Sequence, residues 1–221
     1  MRATEFIAEG VTDADIQEMA KIIERDCQPF LQATNNLKYK LFRGIKNLRQ
    51  NGILTKSRCP VGREPADSSE IMHQIADDWF YDNTGIRFRS NSIFCSGRMN
   101  DADDYGIVTI MIPIGNFDFC WSPTVHDMFG AFDELVDWWW LDDEYDGDDD
   151  EDSDEYNNSL SSATDKLTSA LRAAKYQFNS SIAGFRKGIS SGNEMMIHCD
   201  EYYILRMTDE TTQIINKLQT L

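Results

Sequence analysis

Residues 85–97, Gly-Ile-Arg-Phe-Arg-Ser-Asn-Ser-Ile-Phe-Cys-Ser-Gly, set two hydroxyls two positions apart between Phe88 and Phe94. Residues i and i+2 of a strand share a face, so a strand here turns Ser90 and Ser92 the same way. A face lined with small hydroxyls leaves room beside it. The residues alone allow two readings, an edge strand with a polar outer face or one wall of a site. The segments on either side bear on that choice.

The chain opens with helix signals. Thr12 is a cap with Asp13 and Asp15 in the first turn, and Ile16, Met19, Ala20, Ile22 and Ile23 recur at helical spacing up to about Asp26. A short helix carrying Phe30 and Leu31 is expected next. Residues 37–45 alternate as a strand ending in Arg43 and Gly44, and residues 51–67 read as a loop. Ser68-Ser69-Glu70 starts a helix that turns Ile71, Ile75, Trp79 and Phe80 inward and stops near Gly85. Residues 96–105 read as a loop. Residues 107–114 form a β-branched strand, and Gly115 turns the chain into a strand at 117–121, which suggests a hairpin. Helices are expected at 125–140 and 164–178, a Gly-rich loop at 184–193, strands at 194–199 and 202–207, and a last helix at 209–218. Strands joined in antiparallel fashion after leading helices indicate an α+β fold in one domain spanning residues 1–221. No GxGxxG or Walker loop occurs.

Five cysteines, Cys27, Cys59, Cys95, Cys120 and Cys199, are odd in number, scattered and without a CxxC pair. That pattern favours reduced thiols packed in the core of a cytoplasmic protein. No apolar run reaches the roughly 18 residues of a membrane span, and residues 1–6 lack a signal-peptide core. Of the net charge of −17, 11 negative charges fall among the 14 residues 142–155, leaving −6 elsewhere. The low isoelectric point therefore reports one segment and does not exclude nucleic-acid substrates. Residues 142–158 are expected to be a disordered acidic loop. Asp142 to Gly147 begins like an EF-hand loop, but position three is Glu144 and position twelve is Ser153, so no metal site is expected.

Three polar signals remain, each on a different expected strand: Arg43, the Ser90-Asn91-Ser92 stretch, and Glu194. In that order, Leu41-Phe42-Arg43-Gly44, Phe88-Arg89-Ser90-Asn91-Ser92 and Asn193-Glu194-Met195-Met196-Ile197 resemble the Arg–Ser–Glu class of ADP-ribosyltransferases. The likeness spans roughly residues 37–205. Its wording, with Arg89 to Gly97 and Ile112-Pro113-Ile114-Gly115, is similar to that of uncharacterised members encoded by tailed bacteriophages.

The resemblance implies a split β-sandwich of two antiparallel sheets with N-terminal and flanking helices. It also implies an enzyme that transfers ADP-ribose from NAD to a host protein or nucleic acid with release of nicotinamide. Glu194 would bind the ribose and face the oxocarbenium charge. Arg43 would hold the pyrophosphate, for which a bidentate guanidinium is suited. Gly44 would let the nicotinamide amide approach the backbone. Ser90 would orient Glu194, Ser92 would support the same wall, and Phe94 or Tyr105 would stack on the nicotinamide. The loop before Glu194 would recognise the acceptor through Phe185 and Arg186. Arginine-modifying members carry a second Glu two residues before the catalytic one, where this chain has Gly192. That leaves a carboxylate, a nucleobase, an RNA end or water as the acceptor. The alternative is an inactive relative that binds partners through its acidic loop.

Overall fold

The computed structural model describes residues 11–48, 52–65, 68–146 and 154–220. They form an α+β fold with two antiparallel four-stranded sheets. Helix α1 (Asp13–Asp26) starts at Thr12 in a capping box with Asp15, and α2 (Gln28–Thr34) follows with Pro29 in its first turn. Strand β1 (Phe42–Ile45) is shorter than expected. Asn35, Asn36 and Leu37 have φ of 53°, 52° and 61°, so the chain leaves α2 through a left-handed turn and not as a strand. The expected loop 51–67 contains β2 (Leu54–Arg58). Helix α3 (Glu70–Thr84) begins at Ser69, and β3 is only Ile93–Cys95.

The stretch 86–92 is a turn and not a strand. The Asp77 carboxylate accepts hydrogen bonds from the Arg89 and Ser90 N–H groups at 2.8 and 3.2 Å, and Asn91 N donates to Arg87 O at 2.8 Å. Those donors are then unavailable to a sheet ladder. The expected loop 96–105 contains α4 (Met99–Asp103). Strands β4 (Ile107–Ile114) and β5 (Asp118–Trp121) stand where expected but form no hairpin. Gly115 N donates to Asp26 O at 2.8 Å, which carries the chain out of the first sheet.

Residues 125–140 break into α5 (Met128–Phe132), a 3-10 turn (Asp133–Leu135) and the start of α6 (Trp138–Asp146). Helix α7 (Asp154–Ala173) starts ten residues early, and β6 (Gln177–Phe178) follows. The expected Gly-rich loop is α8 (Ile182–Ser191). Its Ser181 cap accepts from Gly184 N at 3.0 Å. A Cβ at Gly188 would lie 3.0 Å from Trp121 and from Met195, and Gly192, with φ of 75°, ends the helix. These glycines serve close packing and a C-cap, not a loop. Strands β7 (Met195–His198) and β8 (Glu201–Arg206) and helix α9 (Asp209–Gln219) complete the chain.

One sheet has the order β1-β4-β8-β2 and the other β3-β7-β5-β6, with every pairing antiparallel. The second sheet is buried on both faces. Phe119, Trp121, Met195 and Ile197 enter one core with α1, α2, α8, α9 and the first sheet, while the alternating Cys120 and Met196 enter another with α3, α6 and α7. A bridge between Phe42 and Ser96 ties β1 of the first sheet to the end of β3 in the second. All five cysteines are buried and free. No helix among the described residues is long and apolar enough to cross a membrane.

Of the expected acidic loop 142–158, residues 142–146 lie in α6 and residues 154–158 in α7, and residues 147–153 lie outside the described residues. Asp142 accepts from Ser69 Oγ, Glu70 N and Ile71 N at 2.9, 3.1 and 3.0 Å, joining α6 to the start of α3. Asp142→Ala removes a helix-capping acceptor, worth about 1–2 kcal/mol. The expected result is a Tm lower by roughly 2–8 °C for a chain of this size; an unchanged Tm would argue against the capping contact.

Candidate functional site

The seam between the sheets opens into a cleft of about 660 Å³ lined by Arg43, Gly44, Arg63, His73, Arg89, Phe94, Tyr105, His126 and Glu194, among others. That size suits a nucleotide-sized ligand. Arg43 comes from β1, opposite Thr109 of β4, whose hydroxyl donates to Arg43 O at 2.9 Å. Glu194 directly precedes β7, and its N–H donates to His126 O at 2.7 Å. Five of the residues expected in a site therefore share one cleft: Arg43, Gly44, Phe94, Tyr105 and Glu194.

The immediate partner of Glu194 differs from the expected one. Arg89 Nη1 lies 3.7 Å from Glu194 Oε1, with both side chains mostly buried. Burial raises the Glu194 carboxyl above its usual range. The Arg89 charge opposes that shift, and Asp127 adds to it. Ser90 does not orient Glu194. Its hydroxyl donates to Asp77 Oδ2 and lies 3.1 Å from His73 Nε2. Because the single Ser90 proton goes to Asp77, His73 Nε2 must be the donor in that contact, which leaves Nδ1 as a bare acceptor. Burial first and Arg89 second pull His73 down to about 4, so the ring is neutral at pH 7. Ser92 is fully buried and donates to Phe88 O, closing the turn behind the cleft and not lining it.

Three guanidiniums crowd the cleft. Arg63 Cζ lies 3.9 Å and Arg89 Cζ 4.7 Å from the centroid of the Phe94 ring. Arg63 also donates to Arg89 O at 2.8 Å. Burial, then the charges of Arg89 and Arg43, lower Arg63 to about 10, so it still carries its proton at pH 7. Arg43 Nη1, Arg89 Nε and His73 Nδ1 are buried without a hydrogen-bond partner. Buried orphan donors are costly, and a site with two guanidinium donors left open is matched to an anion.

Gly44 has a different reason from the expected one. A Cβ there would lie 2.0 Å from Ala102 O, so the missing side chain makes room for α4, while the residue also lines the cleft. Phe94 is covered by cations, whereas Tyr105 is 56% exposed at the rim.

Phe185 and Arg186 are corrected outright. Phe185 is 1% exposed, packed on Phe30, Phe117 and Phe119, and Arg186 donates to Ala33 O and Gln32 O at 2.8 and 2.9 Å. An amphipathic helix places both against α2, so neither faces an acceptor. From the sequence, Arg89, Arg63 and Asp77 are assigned to no site, and His73, His126 and His198, far apart and without metal-ligand spacing, give no support for catalysis. Arg89 was legible as the basic neighbour of Ser90. Arg63 lay in a stretch read as loop, and His73 and Asp77 were hidden among the inner positions of α3.

Behind Asn91 lies a thiol–imidazole cluster. His198 Nδ1 donates to Asn91 O at 2.5 Å, and Cys59 Sγ donates to the same oxygen at 3.5 Å, with Cys199 and His198 close enough to act on its thiol. The Cys59 thiol is lowered, chiefly by Cys199, and Cys199 is raised in return. The bond to Cys59 and that to Asn91 push His198 from 6.5 to about 9 against burial. A raised imidazole stabilises the folded state fully below pH 6.5, and that contribution is lost as pH rises through about 9. The Tm difference between wild type and His198→Gln should therefore be largest in acid and shrink across that window. A constant difference would remove the charge from the contact. Among the described residues no group of three His, Cys, Asp or Glu side chains is arranged to hold a metal.

Comparison with protein-family models, with curated proteins and with solved structures finds no match to this chain.

Proposed function

We propose that this chain is an NAD-dependent ADP-ribosyltransferase with an ADP-ribosyltransferase-like split β-sandwich, transferring ADP-ribose to a host protein or nucleic acid. The observation that carries the reading is Glu194 set in the same cleft as Arg43, Arg63 and Arg89, with two of those guanidiniums holding buried, unpartnered donors. Open guanidiniums match the pyrophosphate of NAD. A carboxylate in a mostly buried setting matches the positive charge that develops at the anomeric carbon.

In the reaction the C1′–N bond of NAD breaks and its electron pair stays on nitrogen, so nicotinamide leaves neutral. The acceptor forms the new bond to C1′ and loses its proton. Glu194 stabilises the oxocarbenium character, and the Arg89 charge 3.7 Å away opposes the upward shift that burial imposes on its carboxyl. Arg43 and Arg63 hold phosphate oxygens. Phe94 and Tyr105 both line the cleft as candidates for stacking on the nicotinamide, Phe94 beneath two guanidiniums and Tyr105 at the exposed rim. Ser90 acts at one remove, fixing Arg89 through their shared partner Asp77.

The test is release of nicotinamide from NAD by the purified protein, run beside transfer of labelled ADP-ribose to proteins and RNA of a bacterial lysate. Release above the rate in buffer supports the reading. No release and no binding of NAD would overturn it.

A further inference from the structure

Glu194 is needed on the ribose in the reading above, so some other group must take the proton of the incoming nucleophile. His73 is ill suited, being buried and pulled down to about 4. Asp127 is engaged as the cap of α5, accepting from Gly130 N at 2.8 Å. At the exposed mouth of the same cleft stands a His–Asp pair. His126 Nε2 lies 3.9 Å from Asp101 Oδ2, with side-chain exposures of 58% and 27%.

Both members are held by the backbone around Glu194. The carbonyl of His126 accepts the N–H of Glu194 at 2.7 Å, which sets the imidazole one backbone hydrogen bond away from the carboxylate's own residue. Asp101 Oδ2 accepts from Ser96 Oγ at 2.6 Å, and the same hydroxyl lies 3.0 Å from Gly192 O, two residues before Glu194. Strand β3, helix α4 and the segment leading into β7 thus converge on one point.

We propose, building on the transferase reading, that Asp101 and His126 form the base that activates the acceptor. Asp101, 3.9 Å from Nε2 of His126, favours the charged ring electrostatically, and Nδ1 takes the proton. The acceptor oxygen or nitrogen donates its electron pair to C1′ as nicotinamide departs, and its proton passes to His126 Nδ1 and then to solvent. His126 is the catalytic residue and Asp101 a positioning residue. Imidazole is the group most often used for this task and contributes 10²–10⁴-fold where it acts. The exposed position fits an acceptor arriving from solvent, with NAD held deeper by the arginines.

The test uses NAD with water as the nucleophile. His126→Ala keeps the backbone carbonyl that Glu194 needs and removes an exposed ring, so the variant should fold. Its rate of nicotinamide release should fall about 10²-fold, in keeping with that range. Imidazole added to the buffer should restore release at least about tenfold, within the same range. It should restore nothing to Glu194→Gln. Asp101→Asn should lower the wild-type rate and add no further loss in the His126→Ala background, which a merely structural role for Asp101 would not produce. A wild-type rate in His126→Ala, or a loss that imidazole leaves untouched, overturns this proposal while the transferase reading stands. Failure of the wild-type protein to release nicotinamide overturns both.

Discussion

Glu194→Gln lowers the rate of nicotinamide release from NAD about 10²-fold or more, the scale on which removing one preorganised electrostatic group from a reacting centre acts. The substitution nearly keeps the volume of the side chain, removes its charge and turns one acceptor oxygen into an NH2 donor. That charge is expensive to keep, since burial raises the carboxyl and Arg89 at 3.7 Å offsets part of the penalty. An ionised group held where water would otherwise relax it away acts on the transition state more than on the ground state. On the proposed reading NAD affinity should change less than the rate, because the arginines and not Glu194 would hold the phosphates. Rates with saturating NAD, taken with the Tm, separate loss of chemistry from loss of fold. A rate within about threefold of wild type in a folded protein removes Glu194 from the chemistry, since an effective charge there should act on the 10² scale.

Phe185→Ala destabilises the fold by about 3–5 kcal/mol, the usual cost of emptying a buried aromatic site. The ring lies 6.0, 5.3 and 4.8 Å from Phe30, Phe117 and Phe119 and is 1% exposed. These contacts join α8 to α2 and to β5, so the cavity falls where two elements and a sheet meet and cannot collapse cheaply. For a chain of this length a loss of that size lowers Tm by roughly 6–20 °C. Urea unfolding should show a lower midpoint with an unchanged slope. A normal Tm with a selective loss of transfer to macromolecules would instead return Phe185 to the role of an acceptor-recognising residue.

Much of the architecture was legible where local signals agree with burial. Thr12 and Ser69 are caps as their positions suggest, and α9 (Asp209–Gln219) and β4 match the periodicity of their residues closely. The α+β class with antiparallel sheets followed from the same reading. Failures came where one side chain or one tertiary contact overrides propensity. The glycines of α8 resemble loop residues until Trp121 and Met195 are seen against Gly188. The Ser90–Ser92 stretch alternates like a strand until Asp77, thirteen residues before Ser90, takes its N–H groups.

The sequence by itself determined that Arg43 stands on a strand and Glu194 just before one, because the residue pattern around each can be read locally. Only the tertiary structure decided what surrounds them. Arg63, Arg89, His126 and Asp101 reach the cleft from segments that one-dimensional spacing does not connect. Their convergence follows from the bridge between Phe42 and Ser96 and from the bond between Glu194 N and His126 O. Partners far apart in the chain are chosen by packing and by the need to satisfy buried polar groups, and neither leaves a periodic trace in the sequence.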